Sequence, residues 1–183
     1  MKKKEDIREN ILSLWKKSGK DRTVRIEGTS MKPFIIEGNS ITFTSLSNVD
    51  DLKIGDIAVF QGESCLIAHR IVDRIRKEGK TWFKEKGDNL FYPAVIPGDV
   101  IVGKVVEIDK NGFKIDLTAY YWSFVNRFLG YYWRVLFTVL EFIVNKKKKF
   151  LNSKKNHVVS AAYKKISKLL IKLPINFFRS KQL

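Results

Sequence analysis

Two residue periods divide this chain, and the boundary between them lies near Thr118. From Thr23 to Leu117 the apolar residues come in short β-prone runs: "TVRIE", "SITFTSL", "DIAVF", "CLIAHRIVDRIR", "KTWFKEK", "VIVGKVVEID" and "GFKIDL". Turn formers separate them, among them "RKEGK" and "DKNGF", where glycine or Asn-Gly supplies the positive φ of a hairpin. Short strands joined by such turns predict a mainly β, mostly antiparallel domain over residues 23–118. Ahead of it, Ile7, Ile11, Leu12, Leu14 and Trp15 recur among charges until Gly19. That pattern predicts one short helix within residues 1–22.

After Thr118 the period becomes helical. "AYYWSFVNRFLGYYWRVLFTVLEFIVNKKKKF" and "HVVSAAYKKISKLLIKLPINFF" predict two amphipathic helices within residues 119–183. In the first, Asn126, Arg127, Arg134, Thr138, Glu141 and Asn145 fall near one line, opposite a broad apolar face rich in Tyr and Trp. In the second, Lys164, Lys165, Lys168 and Lys172 oppose Val159, Ala162, Ile166, Leu169 and Leu173 until Pro174 ends the pattern.

Charge sharpens the reading of that tail. The formal net charge is +16, no Asp or Glu follows Glu141, and Lys146 to Lys181 supply twelve Lys and Arg, leaving +4 for residues 1–141. A basic tail attracts nucleic acid or anionic lipid. Leu, Ile, Val and Phe are too dense here for a solvated nucleic-acid arm, and no nucleic-acid reader motif occurs. Residues 119–144 would reach about 39 Å as a helix, enough to cross a bilayer. Arg127, Arg134 and Glu141 argue against crossing, because a charge near the bilayer centre costs about 2.5–3.5 kcal/mol. An interfacial helix keeps those charges wet, so the expected partner is an anionic membrane surface met through residues 119–173. A true span ranks second and nucleic acid third, while packing of both helices on the β domain is the bland alternative. "MKKKEDIRENILSLWKKSGK" holds no apolar run of signal-peptide length, so the expected location is membrane-associated with the cytoplasmic face favoured.

Cys65 is the single cysteine, which excludes an internal disulfide, and its place in "CLIAHRIV" predicts a buried strand position. Two histidines and one cysteine are too few and too scattered for a zinc site, and no metal or cofactor is expected.

The candidate chemistry starts in "IEGTSMKPFIIEGNSI". Gly28, Ser30, Pro33, Gly38 and Asn39 suit a turn, whereas Met31 and Phe34 are large and apolar and would pin the loop to a core. A pinned loop holds a hydroxyl in a fixed direction. His69 lies on an apolar strand, and Asp88 closes the β-prone run in "FKEKGDNLF". Serine needs a base to remove its proton, imidazole titrates near neutrality, and a carboxylate orients the imidazole. These three types also co-occur by accident in many chains, and the bland alternative is a serine that bonds its own turn.

"GTSMKP", "GDIAVF", "HRIV" and "KGDN" followed by "IVGKV" occur in the order and roughly the spacing of the conserved boxes of type I signal peptidases and the related self-cleaving repressors. The chain resembles these serine peptidases, of the S24/S26 type, over about residues 23–108. The resemblance implies a signal peptidase-like β fold with Ser30 as nucleophile. His69-Arg70 stands where the usual bacterial branch has lysine, which looks like the archaeal and endoplasmic-reticulum branch and gives His69 the general-base role. Asp88 would orient the imidazole. A second aspartate common in that branch has no counterpart in "LFYPAV". Ser30 N–H and Gly28 would hold the oxyanion. Lys32 does not align with the family lysine and reads as a solvated turn residue; Arg70 reads as structural, Met31 as packing and Asp56 as a turn residue. The implied activity is endopeptidase cleavage of a peptide or exported precursor at a membrane surface, and the alternative is a non-catalytic binding module on the same fold. A self-cleaving repressor is set aside, since the 22 residues ahead of the β domain cannot hold a helix-turn-helix.

Overall fold

The computed structural model describes residues 14–15 and 18–150, with side chains as far as Phe142. Among the described residues there are eight strands and one long helix: β1 (Arg22–Arg25), β2 (Ser40–Thr44), β3 (Ile57–Gln61), β4 (Leu66–Lys77), β5 (Lys80–Lys86), β6 (Ala94–Pro97), β7 (Ile101–Lys110), β8 (Phe113–Asp116) and α1 (Tyr120–Phe150). The strands form one sheet in the order β1-β2-β7-β3-β4-β5-β6, with β8 on β7. Every pairing is antiparallel, so the mainly β, antiparallel expectation holds.

Two tight hairpins set the register. Glu78-Gly79 and Asn111-Gly112 join β4 to β5 and β7 to β8, all four residues with positive φ. Such turns match the right-handed twist of the strands they join. The sequence reading passes over β6, whose "AVIP" sits between prolines. Proline is tolerated there because β6 is the outermost strand, where outward backbone groups need no partner.

One face of the sheet packs on a cluster that includes Ile35, Ile41, Phe43, Val59, Val105 and Ile108, all nearly inaccessible. The Ser30 loop is part of it through Met31 and Phe34. Ala58, Phe60, Ile71, Phe83 and Ile101 form a second cluster.

The tail departs from expectation. Where the sequence predicts two C-terminal helices, the described residues contain one, and the second predicted helix lies outside them. Most of the predicted N-terminal helix lies outside them too, although Trp15 packs against Phe43 with ring centroids 6.1 Å apart. The inner side of α1 is core: Trp133, Leu136, Phe137 and Leu140 are buried against Val72 of β4. Its polar line is only partly solvated: Asn126 is buried, whereas Arg127, Arg134, Thr138 and Glu141 are exposed, with Arg134 and Glu141 reaching Asp73 and Lys84 of the sheet. The helix lies close enough that a Cβ on Gly130 would come within 2.4 Å of Gly55 N and one on Gly55 within 2.3 Å of Asn126 O. Two glycines facing each other permit this backbone approach. Cys65 also differs from expectation, being exposed in the bend just before β4.

Trp133→Ala is therefore expected to lower the stability of the whole chain by about 3–5 kcal/mol, because it empties the sheet–helix core. Val139→Ala, on the exposed side of α1, is expected to change it by less than about 1 kcal/mol. Urea denaturation of both variants checks the pair, and equal effects would refute a buried inner face.

Candidate active site

The loop between β1 and β2 carries Ser30. Met31, Phe34 and Ile35 anchor it in the core, and Ile35 N–H donates to Met31 O at 3.0 Å. A cis peptide joins Lys32 to Pro33. From the other side the β5–β6 loop clasps it: Asn89 N–H donates to Ser30 O at 2.7 Å, Asn89 Nδ2 to Thr29 O at 3.2 Å, and Asp88 N–H to Met31 Sδ at 3.4 Å. Gly87 has to be glycine for space, since a Cβ there would lie 2.8 Å from Ser30 O and 3.0 Å from His69 Nε2.

His69 of β4 reaches this loop. Its Nε2 is 2.9 Å from Ser30 Oγ, and its Nδ1 is 2.6 Å from Glu85 Oε2 on neighbouring β5. A carboxylate only accepts, so Nδ1 carries the proton and Nε2 has a lone pair directed at the serine hydroxyl. Phe60 meets the imidazole edge-on, with centroids 5.9 Å apart, and His69 and Glu85 are both more than nine-tenths buried. Ser30, His69 and Glu85 thus form one hydrogen-bonded line.

The carboxylate in that line is not the expected one. Asp88, predicted to orient the imidazole, turns away to receive Arg70 at both oxygens, from Nε at 2.9 Å and Nη2 at 2.7 Å. The reason is competition: a fully buried guanidinium needs a fixed anion, and the turn after Gly87 presents Asp88 to it. Glu85 was hidden in "FKEKGDN", where alternating charges resemble a solvated strand. The available signal was alternation, since Glu85 shares a strand face with Phe83, which is 0 % exposed.

Arg70 binds more than Asp88. Nη1 donates to Gly55 O at 2.9 Å and to Asn126 Oδ1 of α1 at 2.6 Å, and the guanidinium lies over the Phe34 ring, 5.2 Å from its centroid. Lys86, equally buried, donates to Gly87 O at 2.9 Å and to Asp88 O at 3.2 Å, with Nζ 3.6 Å from the centre of the Trp133 ring. Burial pulls the Lys86 ammonium down to about 8, with Arg70 adding to the shift and the carboxylates of Asp88 and Glu85 opposing it. Between them Arg70 and Lys86 hold the 87–89 turn against the serine loop.

Beside the serine runs a groove of about 600 Å³. Ile26, Ile41, Val59 and Ala68 make its apolar wall, and Gly28, Ser30, Cys65 and His69 line it as well. Two strand edges border it. β1 pairs with β2 alone, and β4 joins β5 only from Arg70 onward, so Leu66–His69 have a free side among the described residues. The backbone N–H of Ser30 also donates to no group among the described residues. Lys32 is half-buried and makes no ion pair among the described residues, and Asp56 caps its own turn by accepting Lys53 N–H at 2.9 Å. Among the described residues no cluster of His, Cys, Asp or Glu could hold a metal ion. The chain matches no protein-family model and no curated protein.

Arg70→Met is expected to cost about 3–5 kcal/mol by leaving the Asp88 carboxylate buried and unpaired, and adding Asp88→Asn is expected to recover part of it. Denaturant titration of the single and double variants checks this, and additive losses would refute the pairing. Lys86 sets a pH signature. Its pKa is about 8 folded and 10.5 when free, so between those values the unfolded chain binds the extra proton and stability rises with pH. Lys86→Met removes this contribution, so the wild-type stability measured relative to the variant is expected to climb from pH 8 to 10.5. A flat difference across that window would contradict it.

Proposed function

We propose that this chain is a serine endopeptidase resembling signal peptidase I, acting on an extended peptide or exported precursor at a membrane surface. The observation that carries the reading is the Ser30–His69–Glu85 line, with separations of 2.9 and 2.6 Å. In this reading Ser30 Oγ attacks the scissile carbonyl while His69 Nε2 takes its proton. Glu85 holds Nδ1–H, fixing the tautomer and stabilising the imidazolium that forms. The carbonyl oxygen, now negative, receives the free N–H of Ser30, with Gly28 beside it in the groove. His69 then protonates the leaving amine, an acyl ester remains on Ser30, and water attacking with His69 as base releases the acid and restores the hydroxyl.

The groove supports a peptide as substrate. Two free strand edges flanking an apolar trough favour an extended chain, whose backbone would pair as an added strand while alternate side chains enter the trough. Glu85 supplies the carboxylate contact that "LFYPAV" lacks, which weighs against the non-catalytic module.

Ser30→Ala and His69→Ala are each expected to abolish cleavage of a presented precursor, because the members of such a unit act together. Glu85→Gln is expected to lower kcat by roughly 10²–10⁴ through loss of the tautomer and of imidazolium stabilisation. The assay is turnover of a precursor or peptide library, with the melting temperature of each variant measured alongside. Equal turnover by wild type and Ser30→Ala would exclude the serine mechanism, and a wild type that cleaves no peptide would favour the binding module.

A further inference from the structure

The outer face of α1 is covered by nothing among the described residues, and it is far more apolar than a solvated helix face needs to be. Phe124, Phe128, Tyr131, Val135 and Val139 are 48–62 % exposed. At 100° per residue they fall within about 80° of one another, opposite buried Trp133. Cations lie along one flank of this stripe. Arg127 and Arg134 border a polar cleft of about 720 Å³ lined also by Lys53, Arg74 and Lys104 and by Asp50, Asp51 and Asp73, so cations outnumber acids there by five to three, and Asp50 is paired with Arg74 and Arg76. Arg134 is tied to Asp73 and Lys104 to Asp56, whereas Arg127 and Lys53 make no ion pair among the described residues. Tyr131 belongs to both the stripe and the cleft. Lys146 to Lys149 follow on the last turns of the same helix.

We propose that this face of α1 docks flat on an anionic bilayer, with the aromatic stripe in the headgroup–acyl boundary and Arg127 and Lys53 at the lipid phosphates. Aromatic residues favour that depth, and a basic flank beside an apolar stripe is the pattern of an interfacial helix. Among the described residues no helix is long and apolar enough to cross a membrane, so α1 would lie on the surface. Charge selects this occupant over two others. A second copy would bring its own Arg127, Lys53 and Lys146 to Lys149 against the same basic flank. The chain beyond Phe150 has its own apolar face, but it adds eight Lys and Arg with no acid and would meet Arg127 with like charge. An anionic surface attracts all of these cations together. The inner face of the helix remains bound to the sheet, so docking requires no unfolding.

This inference deepens the membrane part of the proposed function and is independent of its catalysis, so the test uses Ser30→Ala protein. The full chain is mixed with vesicles of phosphatidylcholine alone or of an equal mixture with phosphatidylglycerol, at low and high salt, and flotation is measured. Strong binding to the mixed vesicles with only partial release by salt is expected. Phe128→Glu with Val135→Glu is expected to reduce that binding by at least about tenfold, because both side chains would carry charge into the interface. Melting temperature should hold, and the milder pair Phe124→Ser with Val139→Ser carries the same expectation with less risk to folding. Lys53→Gln with Arg127→Gln is expected to lower binding to mixed vesicles and leave the salt-resistant part in place. Undiminished flotation of both stripe variants would assign binding to the tail alone and overturn the proposal. So would a lipid-free dimer that the stripe variants dissociate.

Discussion

Arg70 is the contact on which the rest of this structure depends. Its guanidinium is 0 % exposed and is satisfied by Asp88, Gly55 O and Asn126, with Phe34 beneath it. Removing such a cation from water costs several kcal/mol, and only fixed, well-directed acceptors offset that cost. Here the acceptors come from three separate segments: the turn before β3, the loop after β5, and α1. A single side chain of β4 therefore obliges all three to be in place together. The preceding residue on the strand is His69, so the imidazole and the group that organises its surroundings share one piece of backbone.

This arrangement accounts for the division of labour between two carboxylates three residues apart. Glu85 sits within β5, where pairing with β4 fixes its distance from the imidazole. Asp88 lies in a turn, beside Arg70, and its charge neutralises the scaffold. Orientation of the imidazole thus rests on a rigid strand, while the ion pair closes the loop that clasps Ser30 from behind. Lys86 strengthens the same closure by bonding two carbonyls of the turn beneath the Trp133 ring.

The helix serves two surroundings at once. Toward the sheet it contributes Trp133 to the core and Asn126 to Arg70; away from the sheet it presents aromatic and β-branched residues to the outside. A helix apolar on two opposite sides reads from sequence as one broad face, because periodicity gives the width of an apolar arc but not what lies against each part of it. The facing glycines Gly55 and Gly130 mark where the inner part is held.

Much of the fold was legible in the residues themselves. Alternation and Gly-containing turns locate seven of the eight strands, and β-hairpin chemistry at Glu78-Gly79 and Asn111-Gly112 sets two registers, because these signals act over a few neighbouring residues. The loop that presents Ser30 and the strand that presents His69 were legible for the same reason. The exposure of Cys65, the cover over Val72 and the choice of Glu85 over Asp88 were not, because each depends on what another segment brings to the place. A chain of this sequence is committed to a β-sheet by local preference, since each strand and turn agrees with its neighbours. Which carboxylate meets the imidazole was decided only when Arg70 was buried, for an ion so enclosed takes the nearest fixed anion and leaves the other to the histidine.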